Sequence, residues 1–517
     1  MHIEINEQFK NALDMMEHSC QNVFITGKAG TGKSTLLTYF RSITFKKVVF
    51  LAPTGVAAVN IRGETIHSFF GFKPDITIEK IKKRGKKKTR IFKALDAIVI
   101  DEISMVRADL TDCMDVFLRL NGKRGDLPFG GIQMIFIGDL YQLPPVVNGR
   151  EKEAFAKHYR SPYFFDARVF ENFTMEFIEL EKIYRQKDEE FINLLNAVRN
   201  NSLTEEQVHV LNQRAAPVSP PQKQGGYAVY LTTTNKMALG INDEHLGNLK
   251  SEIFSYQAEI NGEFDERSYP SDGELRISKG AQVMLLNNDA KGRWVNGSIG
   301  TVTGIERHEK KDADIIKVLL SDGSAVEVVP HTWDVFHFSF NEETSSIDAE
   351  IAGSFTQYPL KLAWAITIHK SQGKTFDRVV IDTGTGAFAH GQIYVALSRC
   401  TSFEGITLKK PIRKHEIMMD RRIVNFVTQH QYDLSDRAVP LPEKIALIEK
   451  AIKKQQRLEI VYLKANDEKS RRVIKPFSVG EKKYDGVQFV GVEAHCSKRG
   501  ENRTFRIDRI LEMKIVN

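Results

Sequence analysis

The amino-acid sequence predicts an α/β protein built on parallel β-sheets that helices cover on both faces. Three observations lead to this prediction. Apolar runs such as NVFIT, KVVFLA and AIVI are continuous rather than alternating, which is typical of strands buried on both faces. Segments with helical patterns separate these runs, as in repeated βαβ units. A glycine-rich turn joins the first run directly to a helical segment in GKAGTGKSTLLTYF.

Size and composition place the chain among multidomain globular proteins. At 517 residues the chain is too long for a single hydrophobic core. Hydrophobic residues make up 42% and charged residues 27%, which excludes an extended disordered protein. No apolar run reaches the roughly 18 residues of a membrane helix, and MHIEINEQFK lacks the pattern of a signal peptide. We therefore expect no membrane partner and a location in a bacterial cytoplasm or nucleoid.

The cysteines predict neither a zinc site nor a disulfide framework. Cys20, Cys113, Cys400 and Cys496 are scattered, form no CxxC pair and have no histidine at ligand spacing. We expect them to be thiols of the core or the surface.

The positive charge of the chain is concentrated near its C-terminus. Residues 441–517 contain 18 Lys or Arg and 11 Asp or Glu, whereas the residues before them contain 55 of each sign. A basic excess in one segment favours an anionic partner such as nucleic acid, and a solvated lysine-rich surface is the alternative.

Changes in strand pattern divide the chain into four expected parts. Residues 1–175 should form a first α/β domain, and residues 176–278 together with 351–432 a second one. Between the two pieces of the second domain, residues 279–350 contain short alternating segments, which predict a small inserted β-barrel. Residues 437–517 begin with a helical segment and continue with strand-like segments, so we expect a separate β-rich module.

A phosphate-binding loop is predicted between the first strand and the first long helix that follows it. GKAGTGKST matches the pattern G-x-x-x-x-G-K-[ST], in which glycines let backbone N–H groups surround phosphates at a helix N-terminus. Lys33 would contact the β- and γ-phosphates, and Ser34 would hold Mg²⁺. An ordinary strand-to-helix turn is the alternative. The candidate nucleotide-binding residues of this loop are Gly27, Ala29, Gly30, Thr31, Gly32, Lys33, Ser34 and Thr35.

Polar residues that follow two further apolar strands complete a candidate hydrolytic site. Asp101 and Glu102 follow AIVI, so Asp101 is expected to bind Mg²⁺ and Glu102 to act as the base for the attacking water. Gln142 in GDLYQLPPV is expected to orient that water or sense the γ-phosphate, and Asp139 belongs to the same turn. Solvated acids at a strand end and a polar turn before prolines are the alternatives.

Two arginines are candidates for stabilising the negative charge that hydrolysis places on the transferred phosphoryl group. Arg185 lies in IYRQ and Arg399 in ALSRC, and a second domain could supply both. An isolated arginine is usually a surface residue, so this assignment depends on comparison with a family.

Seven motifs occur in a fixed order along the chain, and together they resemble one family. They are GKAGTGKST, LAPTGVAAVNIRGETIHSFF, VIDEISMV, GDLYQLPPV, IYRQ, AITIHKSQGKTF and YVALSRC. The set is similar to the Pif family of superfamily-one helicases, whose nearest relatives are RecD-like helicases, and it covers most of residues 5–410. The resemblance implies two RecA-like motor domains with ATP and Mg²⁺ between them. It also implies an ATP-dependent DNA helicase that moves 5′ to 3′ on single-stranded DNA and opens forked DNA in replication, repair or recombination.

The resemblance implies roles for individual residues. Gln8, in INEQ, is expected to lie against the adenine base. Arg185 and Arg399 are expected to be two arginine fingers, and Gln372 and Gly373 to link DNA contact to the nucleotide. The inserted β-region resembles an SH3-like accessory barrel, and EISMVRADLTDCMDVFLR is in part similar to a signature segment of the family.

A motor that grips DNA regardless of sequence needs phosphate contacts and base stacking. Candidate contacts lie near strand ends in both α/β domains, and burial or helix capping is the alternative for each. In the first domain the candidates are Pro53, Thr54, Gly55, His67, Ser68 and Phe69, and in the second they are Asn235, His369, Lys370 and Ser371.

A strongly basic run lies within the small wedge-like insertion that the resemblance places near residues 55–90. Residues 82–90, KKRGKKKTR, contain seven cations in nine positions and follow the aromatic segment FFGF. Aromatic and basic residues together suit contact with a single strand or a fork junction, and a mobile solvated loop is the alternative.

The C-terminal module resembles a WYL domain, a small Sm-like β-fold. The similar segments are VYLKAN, RRVIKPFSVGEKKYDGVQFVGVEAH and NRTFRIDRI, although Gln488, Phe489 and Val490 replace the triplet that names the domain. A basic face for single-stranded DNA or a small anionic ligand is expected to contain Arg472, Lys475, Tyr484, Arg503, Arg506 and Arg509. Alternatively, Phe489, Phe505 and Ile507 are core residues, and some of the arginines pair with Glu501 and Asp508.

Three other functions remain open at this point. They are a RecD-like motor associated with a nuclease, an RNA-directed helicase, and an ATP-switched, ligand-responsive regulator that binds nucleic acid. The sequence contains no recognisable nuclease carboxylate cluster and no helix-turn-helix with a basic recognition helix, which argues against the first and the third. We expect a monomer.

Overall fold

The computed structural model describes residues 5–73, 75–147, 152–216, 227–307, 313–341, 343–344, 346–387, 389–484 and 486–516. Two compact units are present. The first consists of Met1–Arg199 with Leu203–Met418, and the second of Asn200–Ser202 with Met419–Asn517. In the described part of the chain, no helix is both long and apolar enough to span a lipid bilayer.

A six-stranded parallel sheet forms the N-terminal part of the first unit, with strand order β3-β2-β4-β5-β1-β6. The elements are α1 (Glu7–His18), β1 (Val23–Gly27), α2 (Lys33–Ile43), β2 (Val48–Ala52), α3 (Gly55–Asn60), β3 (Glu64–Thr65), α4 (Ile66–Phe70), α5 (Lys86–Ala94), β4 (Ala97–Ile100), α6 (Ala108–Asn121), β5 (Gln133–Ile137), α7 (Lys152–Ala156) and β6 (Glu176–Leu180).

The apolar runs of the sequence are the central strands of this sheet. Every residue of β1, β2, β4 and β5 is buried, because helices cover both faces. Phe9 of α1 and Leu36 and Phe40 of α2 pack in the same core as Val23 and Ile25 of β1. Parallel pairing brings the carboxyl ends of these strands to one edge, where ligands bind in open α/β sheets.

The second α/β domain begins with α8 (Glu189–Arg199), α9 (Glu205–Asn212), β7 (Val229–Thr232) and α10 (Asn235–Gly247). A long antiparallel insertion then interrupts it. The insertion contains β8 (Ile253–Gln257), β9 (Glu259–Gly262), β10 (Glu274–Ser278), β11 (Gln282–Leu285), β12 (Ile299–Glu306), β13 (Ile315–Leu320), β14 (Ala325–Val328), β15 (His331–Asn341), β16 (Ser346–Gln357) and β17 (Leu360–Leu362).

The insertion forms three antiparallel sheets. Their strand orders are β14-β13-β12-β11-β17, β15-β16-β9 and β10-β8. The long hairpin of β15 and β16 reaches the first domain, where His337 Nδ1 lies 2.7 Å from Oε1 of the buried Glu64. The backbone N–H of Phe338 also donates to Glu64, at 3.3 Å.

After the insertion the chain returns to the second parallel sheet. The remaining elements are β18 (Ala365–Thr367), β19 (Val379–Asp382), α11 (Gln392–Ser398) and β20 (Ile406–Leu408), and the strand order is β18-β7-β19-β20. All three pairings are parallel. The first unit therefore contains two parallel sheets, and the motifs of the second domain lie at the ends of β18 and around α11.

The second unit consists of two helices and an antiparallel sheet. It contains α12 (Arg421–Ala438), α13 (Leu441–Lys453), β21 (Arg457–Leu463), β22 (Lys469–Tyr484), β23 (Val487–Cys496), β24 (Glu501–Arg506) and β25 (Ile510–Val516). The strand order is β24-β23-β22-β21-β25. Its core includes Ile448 of α13 together with Phe505 and Ile507, as the alternative interpretation expected, whereas Phe489, which it also named, is only half-buried.

Strand pairing differs from the expected domain boundaries at three places. The boundary at residue 175 falls before β6, although β6 pairs with β1 along its whole length and so belongs to the first sheet. The barrel expected at 279–350 omits β8, β9, β10 and β17, because these strands find antiparallel partners within the insertion. The compact C-terminal unit begins at Met419 rather than at 437, since α12 packs with its strand β25.

The basic run at residues 82–90 is partly helical. Helix α5 begins at Lys86, so the second half of the run is its first turns. On the other side of this helix, Phe92 packs edge to face against Phe117, with ring centroids 4.9 Å apart, and against Phe69 at 5.4 Å. The aromatic residues thus anchor the basic helix to the first domain.

Candidate functional site

The phosphate loop lies between β1 and α2 and has the geometry that its glycines allow. Gly30 and Gly32 have φ values of 84° and 89°, a left-handed conformation that glycine adopts without strain. A Cβ at Gly30 would lie only 2.6 Å from Cβ of Arg185, so close packing also requires glycine there. The Lys33 ammonium group donates to the carbonyl oxygens of Gly27 at 2.6 Å and Lys28 at 3.1 Å.

A cavity of about 700 Å³ opens beside this loop. Its volume is in the range of pockets that bind small molecules and cofactors. It brings together twelve of the residues that the sequence predicts for nucleotide binding or hydrolysis. These are Ala29, Gly30, Thr31, Gly32, Lys33, Ser34, Thr35, Glu102, Gln142, Arg185, Gly373 and Arg399.

Four other predicted residues do not line the cavity. The carbonyl oxygen of Gly27 accepts from the Lys33 ammonium group, and Oδ1 of Asp101 accepts from the N–H of Glu102 at 2.9 Å. Gln8 exchanges hydrogen bonds with Glu181: its Nε2 donates at 3.2 Å and its Oε1 accepts from the Glu181 N–H at 3.0 Å. Gln372 instead donates to Oε1 of Gln142 at 3.4 Å. Its contact with the cavity is therefore indirect.

Three residues that sequence reasoning missed also line the cavity. Phe9 and Tyr184 add aromatic surface, and Thr375 adds a hydroxyl group. Phe9 follows Gln8 and Tyr184 precedes Arg185, so their positions beside predicted site residues were the available signal. An aromatic wall suits the base of a nucleotide.

Burial and neighbouring charges shift the pKa values of the hydrolytic groups. Burial raises the pKa of Asp101 to about 6, although the hydrogen bond from Glu102 and the charge of Lys33 oppose the shift. Burial and the charge of Asp101 raise the pKa of Glu102 to about 7. Burial lowers the pKa of Lys33, and the carboxylates of Asp139, Glu102 and Asp101 limit this shift. Shifted carboxylates beside a lysine are typical of a reactive site.

The two predicted arginines approach the cavity from different segments. Arg185 follows β6 and donates to the carbonyl oxygen of Ser398 at 3.1 Å. Arg399 is 1% exposed and donates to the carbonyl oxygen of Val395 at 3.0 Å and to Oγ of Ser398 at 2.9 Å. Burial and the charge of Arg185 lower the pKa of Arg399 to about 9. With no carboxylate in ion-pair contact among the described residues, Arg399 suits a negatively charged ligand.

Helix α11 also contacts the phosphate loop directly. The Tyr394 hydroxyl accepts a hydrogen bond of 3.0 Å from the N–H of Ala29. Gly391, just before this helix, packs closely against the turn that follows β5, since a Cβ there would lie 2.6 Å from the carbonyl oxygen of Tyr141. The sequence contained Tyr394 in YVALSRC, but no local pattern indicated its partner.

Three of the six predicted DNA contacts in the first domain follow the end of β2. Pro53 is half-buried, and the exposed Thr54 caps α3 by accepting from the N–H of Ala57 at 3.3 Å. Gly55 is packed against Ser268. The side chains of Pro53 and Thr54 thus remain accessible at the surface.

Helix α4 carries the other three predicted contacts of the first domain. His67 is half-buried, and Ser68 is exposed and donates to Glu64 at 2.7 Å. Phe69 is 9% exposed inside the aromatic cluster. Edge-to-face contacts with Phe70 and Phe92 leave little of the Phe69 ring accessible in this structure, and its contact with DNA stays a prediction.

In the second domain, three predicted contacts are accessible and one is not. Asn235 at the start of α10 and Lys370 are exposed, and His369 is half-buried. Ser371 is fully buried, and its hydroxyl donates to the carbonyl oxygen of Ile368 at 2.7 Å. The Ser371 hydroxyl thus stabilises its own turn, and a contact between this side chain and DNA stays a prediction.

The predicted basic face of the second unit is smaller than expected. Arg472 is buried, with Nη1 3.6 Å from Sγ of Cys496, so it does not contribute to an exposed face. Arg503 forms an ion pair with Glu501, and Arg506 forms one with Asp508. The alternative interpretation of the sequence expected such pairs. The exposed groups are Lys475, Tyr484 and Arg503, while Arg506 and Arg509 are half-buried.

The residues near the phosphate loop fit a magnesium ion. Mg²⁺ prefers oxygen donors and usually takes one or two protein ligands together with phosphate and water oxygens. The Ser34 hydroxyl lines the cavity beside Lys33, and the charge of Lys33 also acts on the carboxylate of Asp101. This donor set matches the small number of hard oxygen ligands that the ion needs.

Fold and site together define the class of the protein. A glycine-rich loop at the end of a parallel strand, carboxylates at the end of another and arginines on the same cavity are characteristic of phosphate-loop nucleotide-binding proteins. Residues 3–209 match the model described as PIF1-like helicase, residues 362–402 the UvrD-like helicase C-terminal domain, and residues 443–515 the WYL domain. The chain belongs to the PIF1-like helicase family and carries a WYL domain near its C-terminus.

Two curated relatives show how far the similarity extends. The ATP-dependent DNA helicase Pif1 of Bdellovibrio bacteriovorus is 32% identical over 440 residues, which cover 83% of this chain and 93% of the relative. The ATP-dependent DNA helicase PIF1 of Emericella nidulans is 30% identical over 499 residues, covering 84% of this chain and 65% of the relative. The chain therefore spans nearly the whole of the bacterial relative and about two thirds of the fungal one.

Solved structures of Pif1 helicases share the fold, and the complexes with ADP-AlF4 and with single-stranded DNA are of Bacteroides Pif1. The complex with ADP-AlF4 has a TM-score of 0.75 at 36% identity and covers 83% of this chain and 98% of that chain. The complex with single-stranded DNA has a TM-score of 0.57 at 36% identity, covering 82% and 96%. A structure of two coordinating Pif1 helicases at forked double-stranded DNA has a TM-score of 0.59 at 36% identity, covering 83% and 98%. The two parallel sheets are thus the RecA-like core of a Pif1 fold.

Proposed function

We propose that this chain is an ATP-dependent DNA helicase that moves 5′ to 3′ along single-stranded DNA and separates forked duplexes. Membership of the PIF1-like helicase family supports this proposal, and its relatives carry the name ATP-dependent DNA helicase. One observation in the structure supports this proposal most strongly. Lys33 of the phosphate loop, Arg185 and Arg399 line a single cavity of about 700 Å³, so one nucleotide can contact all three.

Each side chain in the cavity has a distinct role in the proposed hydrolysis. Lys33 binds the β- and γ-phosphates, while Arg185 and Arg399 stabilise the charge that develops on the transferred phosphoryl group. Gln142 orients the attacking water. Glu102 accepts a proton from that water, which its pKa of about 7 allows at neutral pH.

Magnesium and the base would be held by residues around the same cavity. Ser34 and Asp101 are the proposed protein ligands of Mg²⁺, which when bound would neutralise part of the charge on the phosphate oxygens. Phe9 and Tyr184 would pack against the adenine ring. Gln8 remains a candidate for contact with the adenine edge, and such contact would require its hydrogen bonds to Glu181 to be exchanged.

Coupling between hydrolysis and movement follows from contacts that join the cavity to the proposed DNA-binding turn at residues 369–371. Gln372 donates to Gln142 at 3.4 Å, and Arg399 Nη1 lies 3.5 Å from the carbonyl oxygen of Ser371. We expect these contacts to pass a change in the position of Arg399 to His369 and Lys370. If the two domains grip DNA differently with and without ATP, each cycle moves the strand in one direction.

The first test compares ATP hydrolysis with and without single-stranded DNA. Lys33→Ala should abolish DNA-stimulated hydrolysis and unwinding while DNA binding persists, because the proposed DNA contacts lie elsewhere. Lys10→Ala, which removes an exposed lysine of α1, is the matched control and should behave as the unmodified chain. Full unwinding by Lys33→Ala would refute the phosphate-loop assignment.

The second test determines the direction of movement along the strand and whether that strand is DNA or RNA. Duplexes with a 5′ tail, a 3′ tail or an RNA tail are compared at equal protein concentration. Efficient unwinding of the 5′-tailed DNA alone supports the proposal, whereas preference for the 3′ tail or the RNA tail contradicts its polarity or its substrate class. Sedimentation of the full chain with and without DNA tests the proposed monomer.

For the WYL domain we propose a contact with single-stranded DNA or a small anionic ligand through its exposed basic groups. Lys475 and Arg503 are the accessible cations of the predicted face. Lys475→Glu combined with Arg503→Glu should weaken binding of a short oligonucleotide to the full chain. Unchanged affinity and an unchanged response to inorganic phosphate would argue against this face.

A further inference from the structure

A buried arginine at the end of helix α8 contacts the turn at residues 139–142, which follows β5. Arg199 is 5% exposed and is the last residue of α8, in the second α/β domain. Its Nη2 lies 3.5 Å from Oδ1 of Asp139, whose side chain is buried in the first domain. The guanidinium group also stacks on Tyr141, with Cζ 3.6 Å from the centroid of the ring. One side chain of the second domain therefore holds two residues of the first.

Asp139 in turn fixes the glutamine that is proposed to orient the attacking water. Its Oδ1 accepts from the N–H of Tyr141 at 3.1 Å, and its Oδ2 accepts from Nε2 of Gln142 at 3.3 Å. The N–H of Gln142 donates to the carbonyl oxygen of Asp139 at 3.0 Å. Gln142 lines the nucleotide cavity. The position of the Asp139 carboxylate therefore decides which way the Gln142 amide faces within that cavity.

The buried carboxylate of Asp139 requires a cation nearby. An ionised carboxylate that is removed from water is stable only when opposite charge and hydrogen bonds compensate for the lost hydration. Burial lowers the pKa of Lys33, and the charge of Asp139 is the strongest that opposes this shift. Lys33 is, however, the proposed ligand of the β- and γ-phosphates. Arg199 is therefore the cation that stays with Asp139 throughout hydrolysis.

The helix that carries Arg199 packs against the helix that leads to Arg399. Helix α8 contacts α11, and Arg399 directly follows α11. Gly391, which precedes α11, approaches the same turn so closely that a Cβ there would collide with the carbonyl oxygens of Tyr141 and Gln142. Two helices of the second domain thus hold the turn at residues 139–142. The orientation of Gln142 therefore depends on how this domain is docked on the first.

We propose that Arg199 is a positioning residue for ATP hydrolysis, because its ion pair with Asp139 aligns Gln142 with the attacking water when the second domain packs against the first. The inference rests on the proposed function, in which Gln142 orients that water. Arg199 does not itself line the described cavity, so it acts through Asp139 rather than on the nucleotide. A guanidinium group suits this position, since its plane stacks on Tyr141 while one nitrogen reaches the carboxylate.

The experiment measures ATP hydrolysis by the full-length chain with single-stranded DNA, and the affinities for ADP and for ADP-AlF4. Arg199→Lys keeps the charge but loses the planar group. It should lower kcat at least about tenfold and change KM for ATP and the ADP affinity by less than about threefold, because other residues bind the nucleotide. Affinity for ADP-AlF4, which mimics the phosphoryl group during transfer, should fall in proportion to kcat. A residue that only stabilises the fold would not separate these two affinities.

Arg119→Lys is the matched control, because Arg119 pairs with the carboxylate of Asp115 at 2.8 Å in α6, outside the nucleotide cavity. This variant should keep the kcat and the ADP-AlF4 affinity of the unmodified chain. Thermal unfolding of each variant identifies loss of folding. If Arg199→Lys does not fold, Asp139→Asn tests the same contact from its other side and should show the same loss of kcat.

The double variant Asp139→Asn with Arg199→Lys tests whether the two residues act through one contact. Its loss of kcat should be no larger than that of the more severe single variant, because one interaction is removed in each case. Additive losses, or equal losses of ADP and ADP-AlF4 affinity in Arg199→Lys, would overturn the positioning role. So would an unchanged kcat in Arg199→Lys beside normal hydrolysis by the unmodified chain. Absence of DNA-stimulated hydrolysis in the unmodified chain would instead overturn the proposed function on which this role rests.

Discussion

At the scale of single residues, Arg399 combines burial with a hydrogen-bond pattern that only a guanidinium group can make. Its three nitrogens contact the carbonyl oxygen of Val395, the hydroxyl of Ser398 and the carbonyl oxygen of Ser371. Its pKa, lowered to about 9, keeps it charged at neutral pH. Because the same side chain lines the cavity, it is held in place before any nucleotide binds.

Arg399→Lys should therefore lower the rate of ATP hydrolysis by at least about tenfold with a smaller effect on nucleotide affinity. Lysine keeps a charge but cannot make the three hydrogen bonds from one plane. Steady-state hydrolysis and titration with a fluorescent nucleotide measure the two effects. Arg214→Lys is a suitable control, since Arg214 donates to the carbonyl oxygen of Ile406 outside the cavity. Equal rates for Arg399→Lys and the control would contradict a role in hydrolysis.

Gly30→Ala tests the close approach of Arg185 to the phosphate loop. Alanine at a φ of 84° costs about 1–2 kcal/mol, and its Cβ would lie 2.6 Å from Cβ of Arg185. We expect Gly30→Ala to displace Arg185 and to lower both nucleotide affinity and the rate of ATP hydrolysis. The control is Gly240→Ala, in helix α10, where no atom lies near the added Cβ. The loss of hydrolysis should be larger for Gly30→Ala than for this control. Nucleotide titration and steady-state rates of ATP hydrolysis measure these effects. Equal effects of Gly30→Ala and Gly240→Ala would argue against a role for the close approach of Arg185.

At the scale of elements, the hairpin of β15 and β16 is attached to the first domain through a buried carboxylate. Glu64 is 1% exposed and contacts His337 and the N–H of Phe338. Burial raises the pKa of Glu64. Burial alone would lower the pKa of His337, but the charges and hydrogen bonds of Glu64 and Glu263 together outweigh it and raise that pKa above 6.5.

This attachment should weaken as the pH rises above neutral. A histidine whose pKa is raised in the folded state contributes stability that is complete below about pH 6.5 and is lost as the pH passes its raised pKa. The unfolding temperature of His337→Gln should thus be lower than that of the unmodified chain at pH 6.5, and the difference should shrink at pH 9. His209→Gln, on an exposed face of α9, is the control. A pH-independent difference would show that His337 acts by packing alone.

At the scale of the whole molecule, all residues of the nucleotide cavity belong to the first compact unit. They lie within Met1–Arg199 and Leu203–Met418, whereas the second unit consists of Asn200–Ser202 and Met419–Asn517. A chain that ends at Met418 should therefore keep ATP hydrolysis within about threefold of the full chain, because domains with their own cores fold independently. A chain that ends near residue 435 would instead keep most of α12 but lack β25, the strand against which this helix packs. Complete loss of hydrolysis in the shorter chain would contradict this division.

Local motifs explain why so much of the nucleotide site could be predicted. Phosphate-loop geometry depends on consecutive backbone conformations, so GKAGTGKST specifies Lys33 and Ser34 without reference to the rest of the chain. Buried parallel strands likewise have a composition that can be read locally, as AIVI before Asp101 shows. Twelve predicted residues therefore meet in one cavity.

Burial and long-range partners were decided by the tertiary structure. Phe69, Ser371 and Arg472 have the residue types of nucleic-acid contacts, yet packing covers each of them. Tyr394 meets Ala29 across 365 positions of the chain, and Asn296 brings the insertion to Lys374. Such contacts depend on strand order and on how an insertion folds back, and no short segment encodes these properties. The sequence by itself thus determined the chemistry of the phosphate loop and the class of fold, while the three-dimensional arrangement decided which charged groups remain free to bind.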